Sequence, residues 1–118
     1  MNFKHSQLAK GRWFELDFLF QMANIGSEVY RTIDWRKKNN KKYSDEALIR
    51  CLDLIDLTVE DSKNKFRLKE LLRVREFLLD YFWFDNQYHF DDEFWKKYFG
   101  SFMFAAAIKR NERREKTG

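Results

Sequence analysis

No proline occurs anywhere in the chain, and glycine is found only at positions 11, 26, 100 and 118. Proline removes a backbone donor and clashes with the preceding helical turn, while glycine costs a helix interior about 1 kcal/mol relative to alanine. A chain almost free of both can be divided only by polar runs and capping residues. Long helices joined by short links are therefore the expected architecture. Aromatic residues make up 19% of the chain and charged residues 36%, a profile that is neither disordered nor all-β.

Apolar periodicity marks out four helices. Phe14, Phe18, Met22, Ile25, Val29 and Ile33 recur at steps of three and four, which predicts a first helix over residues 13–38, ended by the polar run RKKNNKK. Ser44, followed by Asp45 and Glu46, reads as the N-cap of a second helix over 44–61 that turns Leu48, Cys51, Leu52, Ile55 and Val59 inward. After the connector DSKN, a third helix over 64–84 carries Leu68, Leu71, Leu72, Leu78, Leu79 and Phe82. The turn DNQYHFDD follows, with Asp91 as cap of a fourth helix over 92–110 and residues 111–118 expected to fray as a basic tail. Short links between long helices imply antiparallel neighbours, so the expectation is one all-α domain over 1–118, an antiparallel up-down four-helix bundle.

Alternating helix directions sort the charges by pole. One pole brings RKKNNKK near the acidic DNQYHFDDE. The other gathers Lys10 and Arg12, then Lys63, Lys65, Arg67 and Lys69, and finally Lys109, Arg110, Arg113 and Arg114. Several cations on one surface release counterions on meeting a phosphate backbone, which makes this basic pole the candidate nucleic-acid interface. The alternative is that charged ends merely solubilise the protein.

Within the first helix, Asn24, Glu28, Arg31 and Trp35 line a face beside the apolar stripe. Glu28 can pair with Arg31 or with Arg75, and Gly26 lets another helix come close. These residues, Asn24, Glu28, Arg31 and Arg75, read as a polar layer fixing register or a subunit contact, with a ligand pocket as the competing view. Thirteen aromatics fall between Phe77 and Phe104, more than helices wet on one side can hide. Trp83, Phe84, Tyr88, Phe90 and Trp95 are therefore expected to form a self-association surface, against the alternative of a densely packed core.

Catalytic constellations are thin. Histidine occurs only at His5 and His89, and no Glu-x-x-His motif exists for a di-iron bundle. Cys51 lacks an evident base and, as the sole cysteine, excludes an internal disulfide; it reads as a small buried apolar residue in a cytoplasmic, reducing setting. Asp53, Asp56 and Glu60 share a helix face, similar to the acidic magnesium sites of all-α nucleotide pyrophosphohydrolases, but that family's paired Glu-x-x-Glu and Glu-x-x-Asp pattern is missing. No metal, cofactor or catalytic residue is expected. The N-terminal stretch lacks an apolar signal-peptide core, and the longest apolar run falls far below the roughly 20 residues that span a bilayer, so no membrane partner is expected.

The words QMANIGSEVYRTIDWRKKNN, ALIRCLDLIDLTVED and RLKELLRVREFLLDYF with DNQY together resemble a group of small prokaryotic helical proteins that share this order of motifs over roughly residues 16–108. That resemblance implies a helical fold and no particular activity. ANIGSEVYR alone is similar to the NIAEG helix of the ribosomal-RNA intervening-sequence proteins and the accessory variability determinants of retroelements. Those are basic four-helix bundles that form rings and engage RNA or a reverse transcriptase. The functional expectation is a non-enzymatic, homo-oligomerising helical module that binds nucleic acid or a nucleic-acid-handling protein through its basic end. The alternatives are a purely structural or protein-interaction bundle and, more distantly, a magnesium-dependent nucleotide hydrolase.

Overall fold

Asp17 decides where the first long helix begins. Its carboxylate accepts the Phe20 N–H at 3.0 Å, a typical N-cap bond that satisfies one orphan donor of the first turn. The helix is therefore α1 (Phe18–Lys37), separated at Leu16 and Asp17 from a short helical segment over residues 10–15. Trp13, expected at the head of the long helix, lies in that separate segment and is buried by folding back on the molecule. The computed structural model describes residues 10–117, and every regular element among them is helical: α1, α2 (Lys41–Glu60), a 3-10 helix (Ser62–Arg67), α3 (Leu68–Trp83) and α4 (Asp92–Thr117). No strand occurs among the described residues, as expected of an all-α chain.

Three further boundaries differ from expectation, each for a local reason. Asn40, not Ser44, caps α2 by accepting the Tyr43 N–H at 3.0 Å. Ser44 sits one turn inside, buried, where its hydroxyl donates to the Thr32 carbonyl at 2.9 Å and ties α2 to α1. The expected connector and first turn of the third helix instead wind as the 3-10 helix, capped by Asp61, and α3 proper starts at Leu68. Residues 111–117, expected to fray, continue α4, because Lys109, Arg110 and Arg113 still have α1 to pack on. Asp91 caps α4 as read from the sequence, accepting the Phe94 N–H at 2.8 Å.

α1 is the central element, buried along both flanks. Ile25, Val29 and Ile33 join Leu48, Cys51, Leu52 and Ile55 of α2 in the main core. On its other flank Ala23 and Gly26 meet α4 at close range: a β-carbon added at Gly26 would stand 2.8 Å from the Phe99 Cβ and 3.2 Å from the Met103 sulfur. Side-chain pairings set the directions. Glu28 meets Arg50 and Gln21 meets Asp61 across α1 and α2, while Tyr30 reaches Lys96 and Asp17 reaches Lys109 across α1 and α4. Asp56 with Arg75 and Asp45 with Trp83 give α2 and α3 the same opposed sense. Large aromatic side chains bridge α3 and α4: Tyr81 donates to Asp92 at 2.6 Å, Tyr98 donates to Glu70 at 2.7 Å, and Trp95 packs between Tyr81 and Phe99.

Candidate functional site

The end of the molecule that holds the start of α1, the end of α2, the 3-10 helix and the end of α4 carries the cations singled out from the sequence. Direct contacts draw their segments together. Lys10 pairs with Glu60 at 3.0 Å, and the Lys63 ammonium donates to the Phe14 carbonyl at 3.0 Å and pairs closely with Asp61. The Arg67 guanidinium lies 4.9 Å from the centre of the Phe18 ring, and Lys109 pairs with Asp17 at 2.7 Å. Lys109, Arg110 and Arg113 all approach the Phe20 ring, whose negative face attracts them. Lys65 borders the outward-facing ring of Phe66, and Arg12, Lys69 and Arg114 are exposed.

Beneath these cations lies a buried polar knot that sequence reading missed. The Trp13 indole N–H donates to the Thr58 hydroxyl at 2.9 Å, and Thr58 donates in turn to the Leu54 carbonyl at 2.7 Å. The Gln21 amide donates to the Trp13 carbonyl at 3.1 Å and to Asp61 at 2.9 Å, while its oxygen accepts from Asn64 at 2.8 Å. Asn64 also donates to the Thr58 carbonyl at 3.0 Å. Gln21, Thr58, Asp61 and Asn64 are all buried, and each finds partners, as buried polar groups must. The available signal was Gln21 itself, a polar residue three and four positions from Phe18 and Ile25 on the apolar stripe.

Electrostatics at this end follow from the pairing. Burial pushes the Asp17 carboxyl up, but the hydrogen bond from Lys109, the Phe20 N–H and the charges of Lys109 and Arg113 outweigh it and hold the group below its ordinary value. At Asp61 burial is likewise outweighed, by the hydrogen bonds from Lys63 and Gln21. Four of the nominated cations, Lys10, Lys63, Arg67 and Lys109, thus share their charge with carboxylates of the same end.

The polar face of α1 resolves differently from the expected layer. Glu28 is buried and clamped between Arg31 at 2.5 Å and Arg50 at 3.1 Å. Arg75 is not part of this group, because Asp56 on the intervening α2 holds it through two hydrogen bonds of 2.8 and 3.3 Å. Asn24 and Ser27 turn back on α1 itself, donating to the Phe20 and Ala23 carbonyls.

The expected aromatic surface divides. Trp95 is only 1% exposed and belongs to the core, and half-buried Phe90 stacks on Phe94 and meets Phe77 and Trp95 at an angle. Trp83, Phe84 and Tyr88 remain at the surface, Phe84 with 70% of its area exposed. The turn that presents them is shaped by Asp80, whose buried carboxylate accepts the N–H groups of Gln87 and Tyr88. Asn86 and His89 adopt positive φ there. His5 lies outside the described residues.

Acidic and thiol chemistry is tied up elsewhere. Of the stripe on α2, Asp56 holds Arg75 and Glu60 holds Lys10. Among the described residues no group of three or more His, Cys, Asp or Glu side chains is placed to hold a metal ion, and no helix is long and apolar enough to cross a membrane. Cys51 is fully buried, and burial, reinforced by the Glu28 charge, pushes its thiol well up. No family model matches the chain, and no curated protein or solved structure does either.

Proposed function

We propose that the chain is an up-down four-helix bundle without catalytic chemistry, which self-associates and engages the phosphate backbone of nucleic acid through its basic pole. The observation that carries this reading is the convergence of cations from three separate segments, residues 10–12, 63–69 and 109–114, on one end held by direct contacts to the start of α1 and the end of α2. Backbone phosphates need cations spread over a surface rather than a pocket, and the exposed Lys65, Lys69 and Arg110 meet that need. The resemblance to RNA-engaging helical bundles points the same way.

The test is fluorescence anisotropy with labelled single-stranded RNA and duplex DNA over a salt series. Binding should weaken linearly in log–log form as salt rises, and the combined replacement of Lys65, Arg67, Arg110 and Arg113 by Glu should abolish it. Absence of binding at low salt overturns the reading. A second reading, a structural or protein-interaction bundle, is favoured by the carboxylate partners of Lys10, Lys63, Arg67 and Lys109, and it would then stand in its place.

A further inference from the structure

α3 carries two apolar stripes. Leu71, Val74, Leu78 and Tyr81 are buried against the rest of the molecule. At a helical advance of about 100° per residue, Leu68, Leu72, Leu79 and Trp83 form a second stripe on another side of the helix. Leu79 on that stripe is half-buried, and Leu68, Leu72 and Trp83 are exposed to 40%, 49% and 39%. The contacts of Trp83 and Arg75 with α2 cover only an edge of this second face and leave Leu68 and Leu72 outward. The second runs into Phe84 and Tyr88, which with Leu72 and Leu79 line a groove of about 500 Å³.

The spacing of the outer stripe is a palindrome. Positions 68 and 83, 72 and 79, and 75 and 76 are each equidistant from a point between Arg75 and Glu76. Two such helices laid antiparallel across a two-fold axis at that point would match Leu72 with the partner's Leu79, Leu68 with the partner's Trp83, and Arg75 with the partner's Glu76. Apolar positions meet apolar ones, and at the axis the partner's Glu76 approaches the Arg75 that Asp56 of the same copy already holds. This is the self-complementarity that an isologous contact requires.

Charge along the segment repeats the pattern at longer range. Residues 63–75 hold Lys63, Lys65, Arg67, Lys69, Arg73 and Arg75 against the single acid Glu70. Residues 76–93 hold Glu76, Asp80, Asp85, Asp91, Asp92 and Glu93, with no lysine or arginine. A parallel pairing would set like charge on like, whereas an antiparallel one lays each basic half over an acidic half. We propose that this face is the contact surface of a two-fold homodimer in which the α3 helices of two copies pack antiparallel. The proposal rests on the self-association put forward above and gives it a surface, a symmetry and a register.

Light scattering on the parent chain and on Leu72→Arg tests the surface, and Leu72 is exposed enough in one copy for the fold to survive, which circular dichroism checks. The parent should weigh as a dimer and the variant as a monomer of unchanged helicity. Nitroxide labels on Glu76→Cys and, separately, Lys69→Cys test the register, with native Cys51 too buried to take a label. With a rise of 1.5 Å per residue, the paired labels stand about 1.5 Å apart along the axis at 76 and about 20 Å apart at 69. Short distances at both positions mean a parallel contact and overturn the proposal. A dimer that persists in Leu72→Arg overturns this surface and leaves self-association standing, and a parent monomeric at every concentration overturns both.

Discussion

Replacing Gly26 by alanine sets two opposing effects against each other at one position. Alanine gains about 1 kcal/mol of helix propensity over glycine in the middle of α1. Against this, the new methyl group would stand 2.8 Å from the Phe99 Cβ and 3.2 Å from both the Phe99 Cδ1 and the Met103 sulfur. The methionine can move aside, but a Cβ is fixed to its backbone, so α1 and α4 must separate along the length that Tyr30, Asp17 and their partners hold together. Overpacking of this kind costs about 1–3 kcal/mol, so Gly26→Ala should lose about 1 kcal/mol net. Gly100 provides the internal control. A methyl group there meets only the Tyr30 hydroxyl, at 2.9 Å, the mobile tip of a side chain. Tilting that ring sacrifices one hydrogen bond to the Lys96 carbonyl, worth about 1 kcal/mol, and the propensity gain offsets it. Urea denaturation followed by helical circular dichroism should therefore show a lower midpoint for Gly26→Ala at unchanged slope, and almost no shift for Gly100→Ala. Equal or greater stability of Gly26→Ala would refute the reasoning.

Gln21→Leu, close in volume, takes one of the two acceptors from the Asn64 amide and removes a donor from Asp61 and from the Trp13 carbonyl, so it should cost about 2–3 kcal/mol in the same assay. Asp17 and Asp61 both have folded-state values below their ordinary 3.8, so their contribution is full above that pH and lost as pH falls through the lower folded values. Melting temperature should accordingly drop on acidification below about pH 4, and less steeply in Asp17→Asn, whose carboxylate no longer titrates. Cys51 should resist a thiol reagent such as dithionitrobenzoate at neutral pH and react at once in denaturant, since it is fully buried with its thiol raised. Rapid native labelling would show that the α1–α2 core opens easily.

The helices were legible where burial acts on one face at a time. The stripe from Phe18 to Ile33 and the cap at Asp91 were read from spacing and residue type alone, because each is a local consequence of a 3.6-residue period. Features that depend on a distant segment were not. Ser44 is an equally good cap by type, and only the Thr32 carbonyl across the helix pair draws it inside. Glu28 chooses Arg50 over Arg75 because α2 lies between α1 and α3, a fact of packing order that periodicity does not contain. By composition Trp95 reads as a surface ring, because the chain holds more aromatics than one-sided helices can hide. Yet the interval between α3 and α4 is wide enough to take Trp95 whole, and its indole N–H is the one buried side-chain donor without a partner among the described residues.

The knot of Gln21, Thr58, Asp61 and Asn64 has a consequence for anything that meets the cations above it. By stitching the segment over residues 10–15, α1, α2 and the 3-10 helix into one unit, it makes Lys63, Lys65 and Arg67 outgrowths of a stiff platform rather than of a loose connector. Immobilising that backbone is a loss taken during folding, so an incoming anion need only quiet the lysine and arginine tips. Loosening the platform with Asn64→Ala would leave the same formal charge on a floppier scaffold, a way to separate rigidity from electrostatics at this end of the molecule.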